Sequence, residues 1–170
     1  YVVYPQKTGT LQIPSMTVQG YLTEVIRDPF DPFMNMTREI PRQLTTKELD
    51  ITVDDLPQRP ANYSGGVGHF SIKGKLEPSK VKENTPITLT ITINGHGNLK
   101  MLRQPIITFP QGFDIYDPKQ REDFTLTPDG LEGSLTFEYI AVPQKRGNYE
   151  IPAASLTYYD TNTHDYRTIA

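Results

Sequence analysis

The sequence contains no cysteine, so neither a disulfide framework nor a thiolate metal site is available to it. That absence leaves the compartment open, because a chain able to bury a sizeable core needs no disulfide even outside the cytoplasm. No apolar run approaches the roughly 20 residues that cross a bilayer as a helix. No block of basic residues occurs and the net charge is -3, which argues against nucleic acid as a partner. No stretch sustains a 3.6-residue apolar period, while 15 prolines and 12 glycines favour short strands and frequent turns over long helices. There is no signal peptide, yet the chain begins with Tyr1 rather than Met; it is read as a processed or excised part of a longer protein.

What is present is a repeat. Tyr139-Ile-Ala-Val-Pro-Gln-Lys-Arg-Gly-Asn-Tyr-Glu-Ile-Pro152 matches Tyr1-Val-Val-Tyr-Pro-Gln-Lys-Thr-Gly-Thr-Leu-Gln-Ile-Pro14 at a constant offset of 138 without a gap. Such a match argues for a duplicated structural unit. Each copy reads as two strands joined by a turn. The proline ends the first arm, Lys145-Arg-Gly147 supplies the turn with Gly147 free to turn left-handed, and Tyr149 and Ile151 alternate in the second arm.

The repeat sets the expected organisation, an all-β chain of tandem immunoglobulin-like β-sandwich domains. Residues 1–56 form the C-terminal part of a first domain truncated at its N-terminus, with Val2, Leu11, Ile13, Met16 and Val18 inward. Residues 27–46, with Asp28-Pro-Phe-Asp-Pro-Phe33, form a long proline-broken loop, and Leu49, Ile51 and Val53 alternate in a closing strand. Residues 57–66 form a linker stiff at its prolines and loose at its glycines. Residues 67–170 form the second sandwich, with strands over 67–76, 87–95, 99–109, 113–117, 122–127, 131–142, 148–151 and 154–160 and a partial one at 165–169. The chain stops before an equivalent of the strand at 48–56, so the second sandwich is expected to lack its last strand. The unpaired edge from Tyr158 to Ala170 would then invite strand addition from a neighbour or a strand-swapped homodimer.

Val67-Gly-His-Phe70, Gly95-His-Gly-Asn-Leu99, Pro105-Ile-Ile-Thr-Phe-Pro110, Phe137-Glu-Tyr139, Pro143-Gln-Lys-Arg-Gly147, Ile151-Pro152 and Tyr158-Tyr-Asp160, in this order and spacing, together resemble the BatD family of the Bacteroides aerotolerance operon. The resemblance implies an exported protein with tandem sandwich domains in the periplasm, held to the inner membrane by an anchor outside this fragment. It also implies von Willebrand factor A-type proteins of the same operon as partners, and a role in oxygen or stress tolerance. The family has no established catalytic residue, so none is carried over.

Residue by residue, chemistry is sparse. Gly95-His-Gly-Asn98 lacks the helix N-terminus that a phosphate loop requires and reads as a tight interstrand turn with His96 exposed at its tip. Asp160-Thr-Asn-Thr-His-Asp165 spaces oxygen ligands as a calcium loop does, but without the glycine and distal glutamate, and reads as a polar hairpin turn. His69, His96 and His164 show no metal-ligand spacing, no nucleophile elbow occurs, and no cofactor is expected. Phe30 and Phe33, on the proline-broken loop, and Tyr158 and Tyr159, on the open edge, are the candidate partner-binding residues. The expectation is a non-enzymatic interaction module; the alternative is a calcium- or carbohydrate-dependent adhesin-like domain.

Overall fold

Burial alternates with period two over 63–70 and 87–94 of the computed structural model, which describes residues 3–27, 35–128 and 130–170. Among these the chain is all-β, its one helical element being a single 3-10 turn, Leu99–Met101. It divides into two compact units, Val3–Leu56 and one containing Pro57–Ala170.

The first unit holds two separate two-stranded ladders. Strand β1 (Gly9–Ile13) pairs antiparallel with β4 (Leu49–Val53), and β2 (Thr17–Arg27) pairs along its whole length with β3 (Asn35–Thr45). Three corrections follow. The described residues 3–14 do not contain a hairpin: β1 takes its partner from β4. Most of the expected loop over 27–46 is strand, with Pro41 opposite Tyr21. Among the described residues strand β3 is paired on one side only, the setting in which a residue without an N–H is tolerated in a ladder. Nor do Leu11, Ile13, Met16 and Val18 form an inward set: Ile13, Met16 and Val18 are exposed and Leu11 is half-buried, while Val2 lies outside the described residues.

The second unit is one sheet. In order its strands are β11 (Asp165–Ile169), β10 (Leu156–Asp160), β5 (Tyr63–Glu77), β6 (Ile87–Gly97) and β9 (Gly130–Pro143). The far edge of β9 is shared by β7 (Phe113–Ile115) and β8 (Lys119–Thr127). All pairings are antiparallel except β10 with β5. Strand β5 starts at Tyr63, so the expected linker over 57–66 is partly strand, and the outermost position on that side is filled by β11.

The core follows from the registers. Ile72, Ile93 and Leu135 lie in one row across β5, β6 and β9, and Leu76, Leu89 and Tyr139 in another. Their row-mates of opposite parity, such as Lys73, Thr92 and Thr136, face the other side. Leu99, Leu102 and Phe109 join this inner cluster from the segment after β6, which makes no ladder although it was expected to be a strand. The Tyr139 hydroxyl, pushed above its ordinary pKa by burial, donates to the Pro105 carbonyl at 2.5 Å and ties that segment to β9.

Glycines explain the Val-Gly-His-Phe and Gly-His-Gly-Asn stretches. Gly68 and Gly97 face each other at φ +142° and +137°, where a Cβ would stand 2.2 Å from the His96 carbonyl oxygen and 2.3 Å from that of Val67. Residues 95–97 therefore extend β6 and are not a turn. Asn98 follows, its side chain accepting from Val67 N–H (2.6 Å) and donating to the Gly65 carbonyl (2.9 Å). His96 is half-buried between His69 and Glu132, not exposed at a tip.

The second copy of the repeat is also not a hairpin. Strand β9 ends at Pro143 and residues 148–152 join no ladder. Gly147 does not take a positive φ; its lack of a Cβ matters because the Tyr149 ring folds to within 3.1 Å of where one would be. That ring packs edge-on against Phe113 at 4.9 Å, and its hydroxyl donates to the Lys145 carbonyl at 2.9 Å.

Candidate functional site

Parity decides the fate of the two tyrosines on β10. Leu156 and Tyr158 face inward, and Tyr158 is only 3% exposed, with its ring edge-on to Phe70 at 5.1 Å. Tyr158 is therefore a core residue and not a contact for a partner. Nor is β10 an edge, since β5 and β11 flank it. Tyr159 points to the outer face and is half-buried there. Phe30 and Phe33 lie outside the described residues.

On that outer face Tyr159 belongs to a small aromatic group. Tyr166 of β11 packs edge-on against both Tyr159 and Tyr63, each at 5.4 Å. The Arg59 guanidinium stands 5.9 Å from the Tyr63 ring centre, and the Tyr166 hydroxyl donates to the Pro57 carbonyl at 2.9 Å. The segment leading into β5 is thus held against the tyrosines of the outer strands. Burial, reinforced by nearby Tyr166, raises the Tyr63 pKa, with Arg59 and Arg103 pulling the other way. Tyr63 and Tyr166 escaped the sequence reading. Their signal is the period-two spacing of each strand, legible only once the register of β5, β10 and β11 is known.

The turn from β10 to β11 is organised by Asp160, which is 2% exposed. One oxygen accepts from the backbone N–H of Asn162 (2.9 Å) and of Thr163 (3.4 Å) and lies 3.2 Å from His69 Nδ1. The other accepts from Arg167 at 3.0 Å. Chiefly through Arg167, and despite burial, the carboxyl is held below its ordinary range. His69 Nε2 lies 3.2 Å from the Thr161 hydroxyl. With both Asp160 oxygens engaged, the Asp-Thr-Asn-Thr stretch works as a side-chain-capped turn that pins β11 to β5. Among the described residues no three His, Cys, Asp or Glu side chains converge as a metal site would need.

The two margins of the sheet differ. Among the described residues strand β8 pairs only with β9, and it carries Lys119, Arg121, Glu122 and Asp123, the kind of charged edge that discourages strand addition. Strand β11 pairs only with β10 among the described residues, and its Arg167 is held back by Asp160. Among the described residues β11 therefore leaves one edge unpaired, beside the half-buried Tyr63, Tyr159 and Tyr166.

The class that the fold defines is an all-β protein whose larger unit ends, among the described residues, in an open outer strand. Residues 75–170 match the family model described as BatD, BatD DUF11 like domain. The chain belongs to the BatD family. No curated protein and no solved structure gives a match.

Proposed function

We propose that the chain is a non-enzymatic protein-docking module of a periplasmic, membrane-anchored protein acting in oxygen or stress tolerance. Its partners would be the von Willebrand factor A-type proteins of the same operon, and its units immunoglobulin-like sandwiches in tandem. Family membership supports the setting. The sheet supports the architecture, being antiparallel throughout except where its first strand, β5, runs parallel to the late strand β10.

The observation that carries the docking reading is the outer strand β11, Asp165–Ile169, whose far edge no described strand covers and whose neighbours include Tyr159 and Tyr63. A partner strand laid along it would gain main-chain hydrogen bonds, with the rings covering its side chains. The test is amide hydrogen exchange on the chain alone and with each purified von Willebrand A-type protein. Slower exchange in β11 on binding, with β8 unchanged, is expected. Saturable binding that leaves β11 unprotected would remove the edge from the reading, and no binding to any of them would remove the partner.

A further inference from the structure

A cleft of about 720 Å³ opens between the loop Pro78–Glu83 and the turn that follows β9. Its floor is apolar, formed by Leu76, Val81, Ile87, Phe113, Tyr149 and Ile151. Lys80 and Lys82 stand on one rim and Lys145 and Arg146 on the other, with Glu83 the single carboxylate in the lining. All four cations are exposed, and none makes an ion pair among the described residues. The chain as a whole is acidic, at -3, so the charge here is locally reversed.

The walls are built rather than slack. The Asn84 N–H donates to the Pro143 carbonyl at 2.8 Å, joining the two loops. The Gln144 N–H donates to the Gly112 carbonyl at 2.8 Å, and its side chain donates to Asp114. Tyr149, locked between Phe113 and the Lys145 carbonyl, fixes the turn that presents Lys145 and Arg146. The repeated stretch thereby acquires a purpose in this copy. The copy at residues 5–14 keeps Lys7 but has Thr8 in place of Arg146 and Leu11 in place of Tyr149.

We infer that this cleft binds an extended acidic peptide segment of a partner protein, with one large apolar side chain of that segment seated on the floor; the inference rests on the docking reading above. Charge complementarity selects an acidic partner and raises its encounter rate. The volume falls within the range of about 300–1,000 Å³ typical of sites that enclose a ligand group. The shape selects a peptide over a bilayer. Surfaces that enter a membrane push apolar groups outward into it, whereas here Ile87 is 6% exposed and lies below a rim of cations.

The test uses the whole 170-residue chain and a fluorescein-labelled peptide, Asp-Glu-Asp-Phe-Asp-Glu-Asp, followed by fluorescence anisotropy. Saturable binding is expected, weakened about tenfold by the double variant Lys82→Glu, Arg146→Glu and also weakened by 0.5 M salt, as screening of exposed charges requires. Replacing the peptide's phenylalanine by alanine is expected to weaken it comparably. Both substituted side chains are on exposed loops, and an unchanged melting temperature would show the fold intact. No binding, or binding indifferent to the double variant, would overturn the inference. So would binding to phosphatidylglycerol vesicles that the double variant abolishes while the peptide stays free. Full-strength binding of a von Willebrand A-type protein by the double variant would overturn the cleft as the docking site and leave the β11 reading standing. Peptide binding without any such protein partner would do the reverse.

Discussion

The two units use similar strands to different ends. In Pro57–Ala170, apolar side chains such as Ile91, Ile93, Leu135 and Phe137 are almost fully buried. In Val3–Leu56 not one described residue is buried, although Val18, Leu22, Ile40 and Leu44 share a face of the β2–β3 ladder. The repeat makes the contrast pointed: Ile151 packs partly against the core, while its equivalent Ile13 is 43% exposed. Alternation assigns side chains to a face, but burial requires a second layer over that face. Leu99, Leu102 and Phe109, from a segment that joins no ladder, cover that face in the larger unit; the two-stranded ladders have no such cover among the described residues.

The largest effect expected from breaking this contrast is at Phe137, which is 2% exposed opposite Ile91. Phe137→Ala should lower the stability measured by urea denaturation by about 3–5 kcal/mol, the range for emptying an aromatic site in a packed core. Next comes the crossing of β5 and β6. Gly97→Ala would set a methyl group 2.3 Å from the Val67 carbonyl oxygen at a φ of +137°. The combined crowding and strain should cost about 2–3 kcal/mol. A near-neutral result in the same denaturation experiment would mean the strands part easily at this point, contrary to their ten-residue register.

These two residues also mark how far the sequence could be read. Strands β6 and β9 were legible because Thr88-Leu-Thr-Ile-Thr-Ile93 and Leu135-Thr-Phe-Glu-Tyr139 alternate cleanly between apolar and polar residues. Segment 99–109 has apolar residues in plenty but a proline at 105, and its role as a cover for the core depends on Leu99, Leu102 and Phe109 arriving from a non-ladder path. Strand β3 was hidden by Pro41, which reads as a breaker unless the strand is known to have one open side. The adjacent tyrosines 158 and 159 could not be sorted without a register, although Leu156, two residues before Tyr158, carried the parity that places Tyr158 inside. The cleft was not legible at all, because its two rims are more than sixty residues apart in the sequence.

Acid sharpens the comparison in another way, since Asp160 ties β11 into the larger unit and the smaller unit has no described equivalent: Leu22 stands at the matching position of the repeat. Arg167 and two backbone N–H groups hold the folded pKa of Asp160 below the ordinary 3.8. The unfolded chain therefore binds this proton more tightly. Its stabilising contribution is complete above about pH 3.8 and fades as the pH falls through the lower folded value. Urea midpoints taken from pH 7 downwards should fall more steeply below that point for the parent than for Asp160→Asn. Parallel curves would show that the carboxylate contributes nothing pH-dependent to the fold.

The smallest effect is expected where the contrast began, in the β2–β3 ladder. Val18 is 53% exposed and Leu22 57%, so each keeps much of its contact with water in the folded chain. Val18→Ala and Leu22→Ala should each change the stability measured by urea denaturation by no more than about 0.5 kcal/mol, as substitutions away from a core do. Amides of β2 should exchange hydrogen much faster than those of β6, whose inner residues Ile91 and Ile93 are covered. The two readouts together are diagnostic. A cost near 2 kcal/mol at Leu22, with β2 amides as slow as those of β6, would mean that another layer covers this ladder in solution, for instance a second copy of the chain. The same apolar alternation would then be serving the same purpose in both units.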